Sequence, residues 1–473
     1  MPLALTNPRS RLIAIIAYTL LALLFAEFTR HALKYAYPDT DHTKGDFLAF
    51  YEAAEAMRVG SDLYVERHRN YIYPPLVAFL YMPLTIFSDP PTLHRTAGII
   101  SLLASVAMAM ATIIVLAKES VRRLLLPHHP DNQTVLPTLA ALCERPCGPA
   151  IASELKSQIV PIVALLATLL VADKLRSELR MWQTNILMLF FLSIGVRFLD
   201  RRPTLAGAML GLAVNIKYLP ILFLPWLLLR RRFAAAGGMV IGILAGAFAP
   251  AMWVGWSKNL EYLRAGFAGL LGLFGNAPPA GASHAMMEDI AGGLSVSLTS
   301  AFARALGGSQ HANGALAISG CIALLVAAAA AFAYYKRGLP ILLWPRAREQ
   351  KHGAFVSLVL LEVAAIIIAM LVFGPQTNPR HLCLLLLPAM AAATLIIAPF
   401  PKRVRVVAAI GGLLMAAALT LPPGGTESLD HLVGAWRRIS GPSYGMLAML
   451  GALIWCITLE AGRSADEKRS DRP

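Results

Sequence analysis

"TLAGAMLGLAVNIKYLPILFLPWLLL" (residues 204–229) is the stretch that decides how this chain is arranged in a membrane. The basic sequence "DRRP" directly precedes it and "RRR" directly follows it. Because basic residues tend to stay on the cytoplasmic side of a membrane, a single crossing would leave one of these clusters on the outer side. A hairpin of two half-helices keeps both clusters inside and places Lys217 and Tyr218 at its outer tip. Pro220 favours a break, since proline removes a backbone donor and clashes with the preceding turn, so we predict the hairpin.

The composition is typical of a polytopic membrane protein. The chain has 473 residues, of which 57% are hydrophobic and 15% are charged, whereas an ordinary soluble domain has about 25% charged residues. The first apolar run, "RLIAIIAYTLLALLFAEF" (Arg11–Phe28), is long enough to cross about 30 Å of hydrocarbon. It lacks a small-residue cleavage site, so we interpret it as a retained signal anchor. The predicted fold class is therefore an all-α polytopic membrane protein.

The formal net charge of +15 does not indicate a nucleic-acid partner. The basic residues lie mostly at the ends of apolar runs, which is the pattern of cytoplasmic loops in membrane proteins. No pair of histidines has the spacing of a metal-binding motif, so no metal and no cofactor are expected. The partners we expect are membrane lipids and a substrate carried by one.

Assigning each loop to a side by its charge predicts about twelve crossings with both termini in the cytoplasm. They form one transmembrane domain over residues 1–461, followed by a cytoplasmic tail over 462–473. Two large loops, 30–95 and 257–312, are then outside, and the short apolar segment 73–87 dips into the outer leaflet without crossing. The candidate spans are 11–29, 96–117, 158–172, 183–198, 204–229, 234–256, 313–334, 354–373, 381–399, 405–421 and 442–461.

The first outer loop contains a carboxylate in an unusual setting. "KGDFLAFYEAAEAMRVG" (Lys44–Gly60) has apolar residues at helical spacing, and Gly60 suits the end of a helix. Asp46 then lies where a helix N-cap belongs. One interpretation is a structural cap, and the other is a base that takes a proton from a hydroxyl group. The two are compatible, because a capped helix is a rigid mount for a catalytic side chain.

Several cations lie on the same outer side as Asp46. Lys217 lies inside an apolar stretch, where a charged residue is costly and marks function, although it could also snorkel to the interface. Arg180 and the pair Arg380–His381 are either interfacial anchors or ligands of an anion. A carboxylate together with cations is what a phosphate-bearing substrate and a general base require.

Several of these stretches together resemble glycosyltransferase family 87, the polyprenyl-phosphate-mannose type of mannosyltransferase in the GT-C fold class. The resemblance spans roughly residues 10–400. One departure concerns Trp182, which stands where the family pattern L-R-x-G-Q-x-N often has glycine. The matching stretches are 45–84, 179–191 and 201–233, with looser similarity at 294–306 and 380–388.

The resemblance implies a GT-C fold with short juxtamembrane helices in the first outer loop. It implies an inverting transfer of a sugar, by default mannose, from a polyprenyl-phosphate donor to a lipid-linked or glycan acceptor. The family's catalytic Asp maps onto Asp46, which would be the general base. The protein would lie in a bacterial inner membrane with its active site facing the periplasm. Candidate donor-phosphate ligands are Lys217, Arg180, His381 and Arg380, and candidate substrate contacts are Gln183, Asn185, Tyr73 and Glu52.

A secondary transporter or flippase for a phosphorylated lipid is the main alternative. It would use the same outward-facing cations and a broken helix at the middle of the membrane. The long first loop and the lack of a visible internal repeat disfavour it. A non-catalytic scaffold is disfavoured as well, because it would not need a lysine within an apolar segment.

Overall fold

The computed structural model describes residues 8–36, 45–64, 71–86, 91–125, 149–272, 285, 289–336, 352–397, 400, 402–419 and 427–470. These residues are helical throughout, joined by turns, and contain no strand. The helices are α1 Pro8–Ala36, α2 Phe47–Arg58, α3 Pro75–Tyr81, α4 Pro91–Leu125, α5 Pro149–Leu170, α6 Ala172–Met181, α7 Asn185–Phe198, α8 Pro203–Val214, α9 Phe223–Leu229, α10 Phe233–Phe248, α11 Ala251–Val254, α12 Trp256–Gly272, α13 Leu298–Ala305, α14 Ala312–Lys336, α15 His352–Phe373, α16 Leu386–Ile397, α17 Lys402–Leu419, α18 Glu427–Arg438 and α19 Gly441–Ser470.

Within the described residues, five helices are long and apolar enough to cross a membrane, or up to seven if each of two bent helix pairs is one span. This count supports a membrane protein but is lower than the predicted number of about twelve crossings. The difference arises because the remaining apolar helices are shorter than the roughly 20 residues that a straight span requires. These shorter helices are Pro75–Ile86, Asn185–Phe198, Pro203–Val214, Leu219–Leu229 and Val359–Phe373.

The predicted hairpin is confirmed by the path of the backbone. Helices α8 and α9 are separated by a turn and a 3₁₀ helix, Leu219–Leu222. Arg232, just after α9, forms an ion pair of 2.9 Å with Asp200, just before α8. Its guanidinium also donates to the backbone oxygen of Leu199 at 3.1 Å. The stretch therefore returns to the end of the molecule where it started, and Lys217 lies at its far tip.

The first half of the hairpin is held by close packing of α8 against α10. A Cβ atom on Gly207 or Gly211 would overlap backbone carbonyl groups of α10, and one on Gly238 or Gly242 would overlap those of α8. Small residues allow this backbone contact, as in other membrane helix pairs. At the end of α8, the amide of Asn215 donates to the Ile243 carbonyl oxygen at 3.0 Å. This contact fixes the point from which the turn with Lys217 begins.

The first outer loop contains the expected short helices. Helix α2 buries its aromatic face, and the ring of Phe50 packs 4.9 Å from Tyr73 and 5.1 Å from Tyr81, measured between centroids. Helix α3 continues as a 3₁₀ helix, Met82–Ile86. Twelve residues at about 1.5 Å each span roughly 18 Å, which is less than the hydrocarbon thickness. This length agrees with a segment that dips into the membrane without crossing it.

Helix α19 at the C-terminal end continues to Ser470, so the predicted tail from residue 462 begins within a helix. The stretch 118–157, between two of the candidate spans, begins with the last turns of α4 and ends within α5, and its residues 126–148 lie outside the described residues. Residues 273–284 of the second large outer loop lie outside them as well.

Candidate active site

Asp46 is the centre of a polar cluster at one end of the helical bundle. It occupies the N-cap position of α2, but its side chain makes no capping hydrogen bond. Its Oδ2 atom instead accepts hydrogen bonds from Arg380 Nη1 at 2.7 Å and from the amide nitrogen of Gln183. The side chain remains 22% exposed. The carboxylate is therefore mounted at the start of a helix without being used to cap it.

The backbone around Asp46 is docked onto the end of α6. The Asp46 N–H donates to the carbonyl oxygen of Met181 at 3.0 Å. The preceding Gly45 has φ +142°, a conformation that favours glycine, and its Cβ position lies 3.4 Å from the same oxygen. Gly45 thus allows the close approach that places Asp46 beside the residues that follow α6.

Gln183 and Tyr73 position the carboxylate. Tyr73 is buried, and its hydroxyl donates to Oε1 of Gln183 at 3.0 Å. This contact orients the amide so that its nitrogen donates to Asp46. Both residues are predicted above to contact substrate, which stays a prediction, and in the structure they contact each other and the candidate base.

Trp182 shows why the family pattern has glycine at this position. The residue ends α6 with φ 57° and ψ 47°, in the left-handed region. A side chain in this conformation costs about 1–2 kcal/mol, and glycine avoids that cost. Trp182 recovers part of it by packing its ring 5.3 Å from the ring of Phe47, between centroids. The backbone turn that presents Gln183 is therefore formed without the glycine.

The hairpin tip meets the segment that carries Arg380 and His381. Nζ of Lys217 lies 2.9 Å from Nε2 of His381. The Nδ1 atom of His381 accepts from the Asn378 N–H at 3.3 Å, in a capping box at the start of the 3₁₀ helix Pro379–Leu385. Lys217 also lies 5.2 Å from the ring centroid of Tyr73. Three sequence-predicted residues, Lys217, Arg380 and His381, are thus brought to Asp46 from distant parts of the chain.

Lys217 is half-buried in the turn between α8 and the 3₁₀ helix Leu219–Leu222, at the tip of the predicted hairpin. The carboxylates of Glu178 and Asp46 both interact electrostatically with its amine.

Glu178 is a member of the site that the sequence reasoning missed. Its side chain is fully buried, and its two oxygens accept from the backbone N–H of Asn185 at 2.8 Å and from the Asn185 amide at 2.9 Å. Leu175 and Leu179 lie on the same buried face of α6, and this helical spacing was a signal for it. Asn185 is fully buried too and contacts Glu178, and its predicted contact with the substrate stays a prediction.

Two other predicted site residues lie apart from the cluster. The Arg180 guanidinium stacks 5.0 Å from the ring centroid of Tyr35 on α1, so it faces α1 rather than Asp46. Glu52 lies on α2, six residues beyond Asp46, and is partly buried. Among the described residues, no group of three or more His, Cys, Asp or Glu side chains is arranged to hold a metal ion.

Hydroxyl groups around α13 anchor the segment that leads to Arg380. The Ser295 hydroxyl oxygen accepts from the Thr377 N–H at 3.0 Å, and the Val296 N–H donates to the Thr377 carbonyl oxygen at 2.8 Å. The Thr299 hydroxyl donates to the Phe373 carbonyl oxygen at 3.0 Å. These buried contacts connect residues 294–306 to the segment that carries Arg380.

Comparison with known families identifies the family to which the chain belongs. The model of glycosyltransferase family 87 matches residues 71–345, which is more than half of the chain. The match includes Tyr73, Gln183 and Lys217, whereas Asp46 and the Arg380–His381 pair lie beyond its limits. A search of curated proteins found no match. The chain therefore belongs to glycosyltransferase family 87, a family of membrane glycosyltransferases.

Proposed function

We propose that the protein transfers a sugar, by default mannose, from a polyprenyl-phosphate donor to the hydroxyl group of a lipid-linked or glycan acceptor, with inversion at the anomeric carbon. Asp46 is the general base. The observation that carries the proposal is the meeting of one partly exposed carboxylate with Arg380 and the Lys217–His381 pair. They supply a proton acceptor, Asp46, and two cations, Arg380 and Lys217, of the kind that a phosphate leaving group requires.

The reaction needs few parts. The acceptor hydroxyl gives its proton to Asp46 while its oxygen bonds to the anomeric carbon. The bond from that carbon to the phosphate oxygen breaks, and the polyprenyl phosphate leaves with the electron pair. The base lies about 2.6–3.2 Å from the hydroxyl oxygen of the acceptor. That oxygen lies about 3–3.5 Å from the anomeric carbon before it attacks. The oxygen of the leaving phosphate is therefore roughly 6–8 Å from the carboxylate. Lys217 and His381, beyond the immediate contacts of Asp46, suit that position.

Arg380 has a separate role in this proposal. In the structure it neutralises Asp46 at 2.7 Å, which is too close for a sugar to lie between them. An arriving phosphate competes for the guanidinium, because charge-assisted bidentate contacts to phosphate are strong. Arg380 then leaves Asp46 and binds the phosphate. This single movement frees Asp46 to act as a base and places a cation at the leaving group.

The opposite end of the molecule supports an outward-facing site. Asp200 is surrounded there by Arg122, Arg123 and Arg232, and the basic sequences that flank the hairpin lie at the same end. By the positive-inside pattern this end is cytoplasmic. The Asp46 cluster then faces the periplasm of a bacterial inner membrane.

The test is Asp46→Asn, assayed in membranes with polyprenyl-phosphate mannose and a membrane lipid extract. The variant is expected to lose at least about 100-fold in transfer rate, since general base catalysis contributes about 10²–10⁴-fold. Glu261→Gln, which removes an exposed carboxylate on α12, is the matched control and is expected to retain full activity. Full turnover by Asp46→Asn would contradict the proposal. Movement of the donor without a new glycosidic bond would favour a transporter.

A further inference from the structure

A cavity of about 180 Å³ lies beside the candidate active site and is lined on one side by α6. Four basic residues line it: Lys174, Arg176, Arg180 and Arg437. We call it the basic cleft. Its other walls come from the 3₁₀ helix Pro379–Leu385 and from the ends of α17, α18 and α19. Arg180, whose guanidinium stacks on Tyr35, therefore lines the basic cleft and not the Asp46 cluster.

The charge of the basic cleft favours an anion. Asp173 is the one carboxylate among the described lining residues, and it pairs with Lys174 at 3.0 Å and Arg176 at 2.9 Å. Arg180 and Arg437 add two more positive charges.

The remaining lining favours an anion that is attached to a lipid. Leu382, Leu419, Trp436 and Pro442 form the apolar part of the cleft. Tryptophan is enriched where lipid headgroups meet hydrocarbon, and α18, which carries Trp436, forms with α19 one of the bent pairs that are apolar enough for a membrane. A free inorganic anion has no apolar part that could contact these side chains.

One 3₁₀ helix separates the basic cleft from the Asp46 cluster. Pro379 and Leu382 line the cleft and share a face, because residues three apart eclipse in a 3₁₀ helix. The two residues between them, Arg380 and His381, contact Asp46 and Lys217. The helix therefore serves two neighbouring anion sites, one on each side.

We propose that the basic cleft binds the phosphate of the acceptor, so that the acceptor is an anionic phospholipid or a phosphate-linked lipid glycan. This inference rests on the proposed function. The donor phosphate must lie roughly 6–8 Å from Asp46, where Lys217 and His381 are available. The acceptor phosphate has no such limit, since the sugar or headgroup that it carries extends to Asp46. Two lipid-anchored substrates need two phosphate sites, and the structure offers two.

The binding test uses purified protein in detergent with short-chain phosphatidylglycerol as the probe. Diacylglycerol of the same chain length lacks the phosphate, and inorganic phosphate lacks the lipid. Lys174→Gln/Arg437→Gln is expected to weaken phosphatidylglycerol binding at least about tenfold, while the matched double variant Lys258→Gln/Arg264→Gln on α12 is unchanged. Equal binding by both double variants overturns the site. Inorganic phosphate that competes as strongly as the lipid overturns the lipid assignment.

The transfer test divides a membrane lipid extract on an anion exchanger and offers each fraction with labelled polyprenyl-phosphate mannose. Label is expected in the anionic fraction, and the cleft variant is expected to raise KM for that fraction about tenfold with the donor KM unchanged. Label only in the neutral fraction, or a raised donor KM, overturns the acceptor assignment. A wild-type protein that transfers to neither fraction contradicts the proposed function instead, and the binding test still decides the cleft.

Discussion

Asp46 and Asp200 are carboxylates at opposite ends of one helical bundle, and both pair with arginine, yet their surroundings differ. Asp200 contacts Arg123 at 2.7 Å, Arg232 at 2.9 Å and Arg122 at 3.7 Å. Asp46 pairs with Arg380 at 2.7 Å, and the amide of Gln183 donates to the same carboxylate oxygen. A carboxylate in contact with three arginines links helices, whereas in the proposed mechanism Arg380 exchanges Asp46 for a phosphate and leaves the carboxylate free to act as a base.

The pairing at Asp200 also has an electrostatic signature. Burial of Asp200 raises the pKa, but Arg123, Arg232 and Arg122 outweigh burial, so the pKa lies below its usual value. Asp200 therefore stays ionised at neutral pH, and its ion pairs hold the helix ends together. The comparison predicts that changes at this end act on folding, while changes at the Asp46 end act on turnover.

The largest effect on stability is expected from Asp200→Asn, which removes the carboxylate that Arg232 contacts and one of the two that Arg122 and Arg123 contact, since both of these also pair with Glu119. A hydrogen bond to a charged group contributes about 1.5–3 kcal/mol, so the yield of folded protein and its thermal midpoint in detergent should fall. Because the folded pKa is lowered, the stabilisation is complete above the unfolded pKa of about 3.9 and is lost as pH falls. Wild type and variant should therefore converge in acid. An Asp200→Asn protein that melts with the wild type at neutral pH would break the comparison.

Arg380→Gln should lower the transfer rate and leave thermal stability nearly unchanged. It removes the cation next to Asp46 and, in the proposed mechanism, one from the leaving phosphate, so we expect a roughly 10- to 100-fold loss of transfer rate. The thermal midpoint should change little, because the pair is partly exposed and such pairs contribute about 0–1 kcal/mol. Arg264→Gln on α12 is the matched control, with the same charge change at an exposed position. A large drop in stability with normal turnover per folded molecule would mean that the Asp46 pair is structural too.

A smaller effect is expected from Lys217→Arg, which keeps the positive charge but changes the geometry beside His381. The rate of transfer should fall by less than about tenfold, whereas Lys217→Gln, which removes the charge, should lose about as much as Arg380→Gln. The measurement is the transfer rate per folded molecule. Equal rates for Lys217→Gln and the wild type would show that the charge of Lys217 does not assist the reaction.

The smallest effect is expected from Trp182→Gly. Glycine relieves the left-handed strain, worth about 1–2 kcal/mol, but removes the buried ring and its contact with Phe47. The two terms oppose each other, so the thermal midpoint should stay within a few degrees of the wild type. Trp182→Ala keeps the strain and loses the ring, and is the control that should melt clearly lower. Equal midpoints for the Gly and Ala variants would contradict the strain argument.

The sequence was sufficient to predict the hairpin, and the structure brings Lys217, Arg380 and His381, all singled out from the sequence, close to Asp46. A lysine in an apolar stretch can be recognised from the sequence alone, because charge and apolar composition are local properties. The contacts of Gln183, Asn185 and Arg180 within the fold could not be predicted in this way. In the structure Gln183 donates to the carboxylate, Asn185 contacts Glu178, and Arg180 lines the basic cleft.

Hydropathy, basic flanks and helical spacing by themselves therefore determined an all-helical membrane protein with a re-entrant stretch and a carboxylate at the head of a short helix. Only the tertiary structure decided which groups that carboxylate meets, since Gln183 lies 137 residues from it along the chain and Arg380 lies 334 residues from it. The reason is physical: periodicity and charge bias are properties of neighbours in sequence, whereas a hydrogen-bond partner depends on how distant backbones pack.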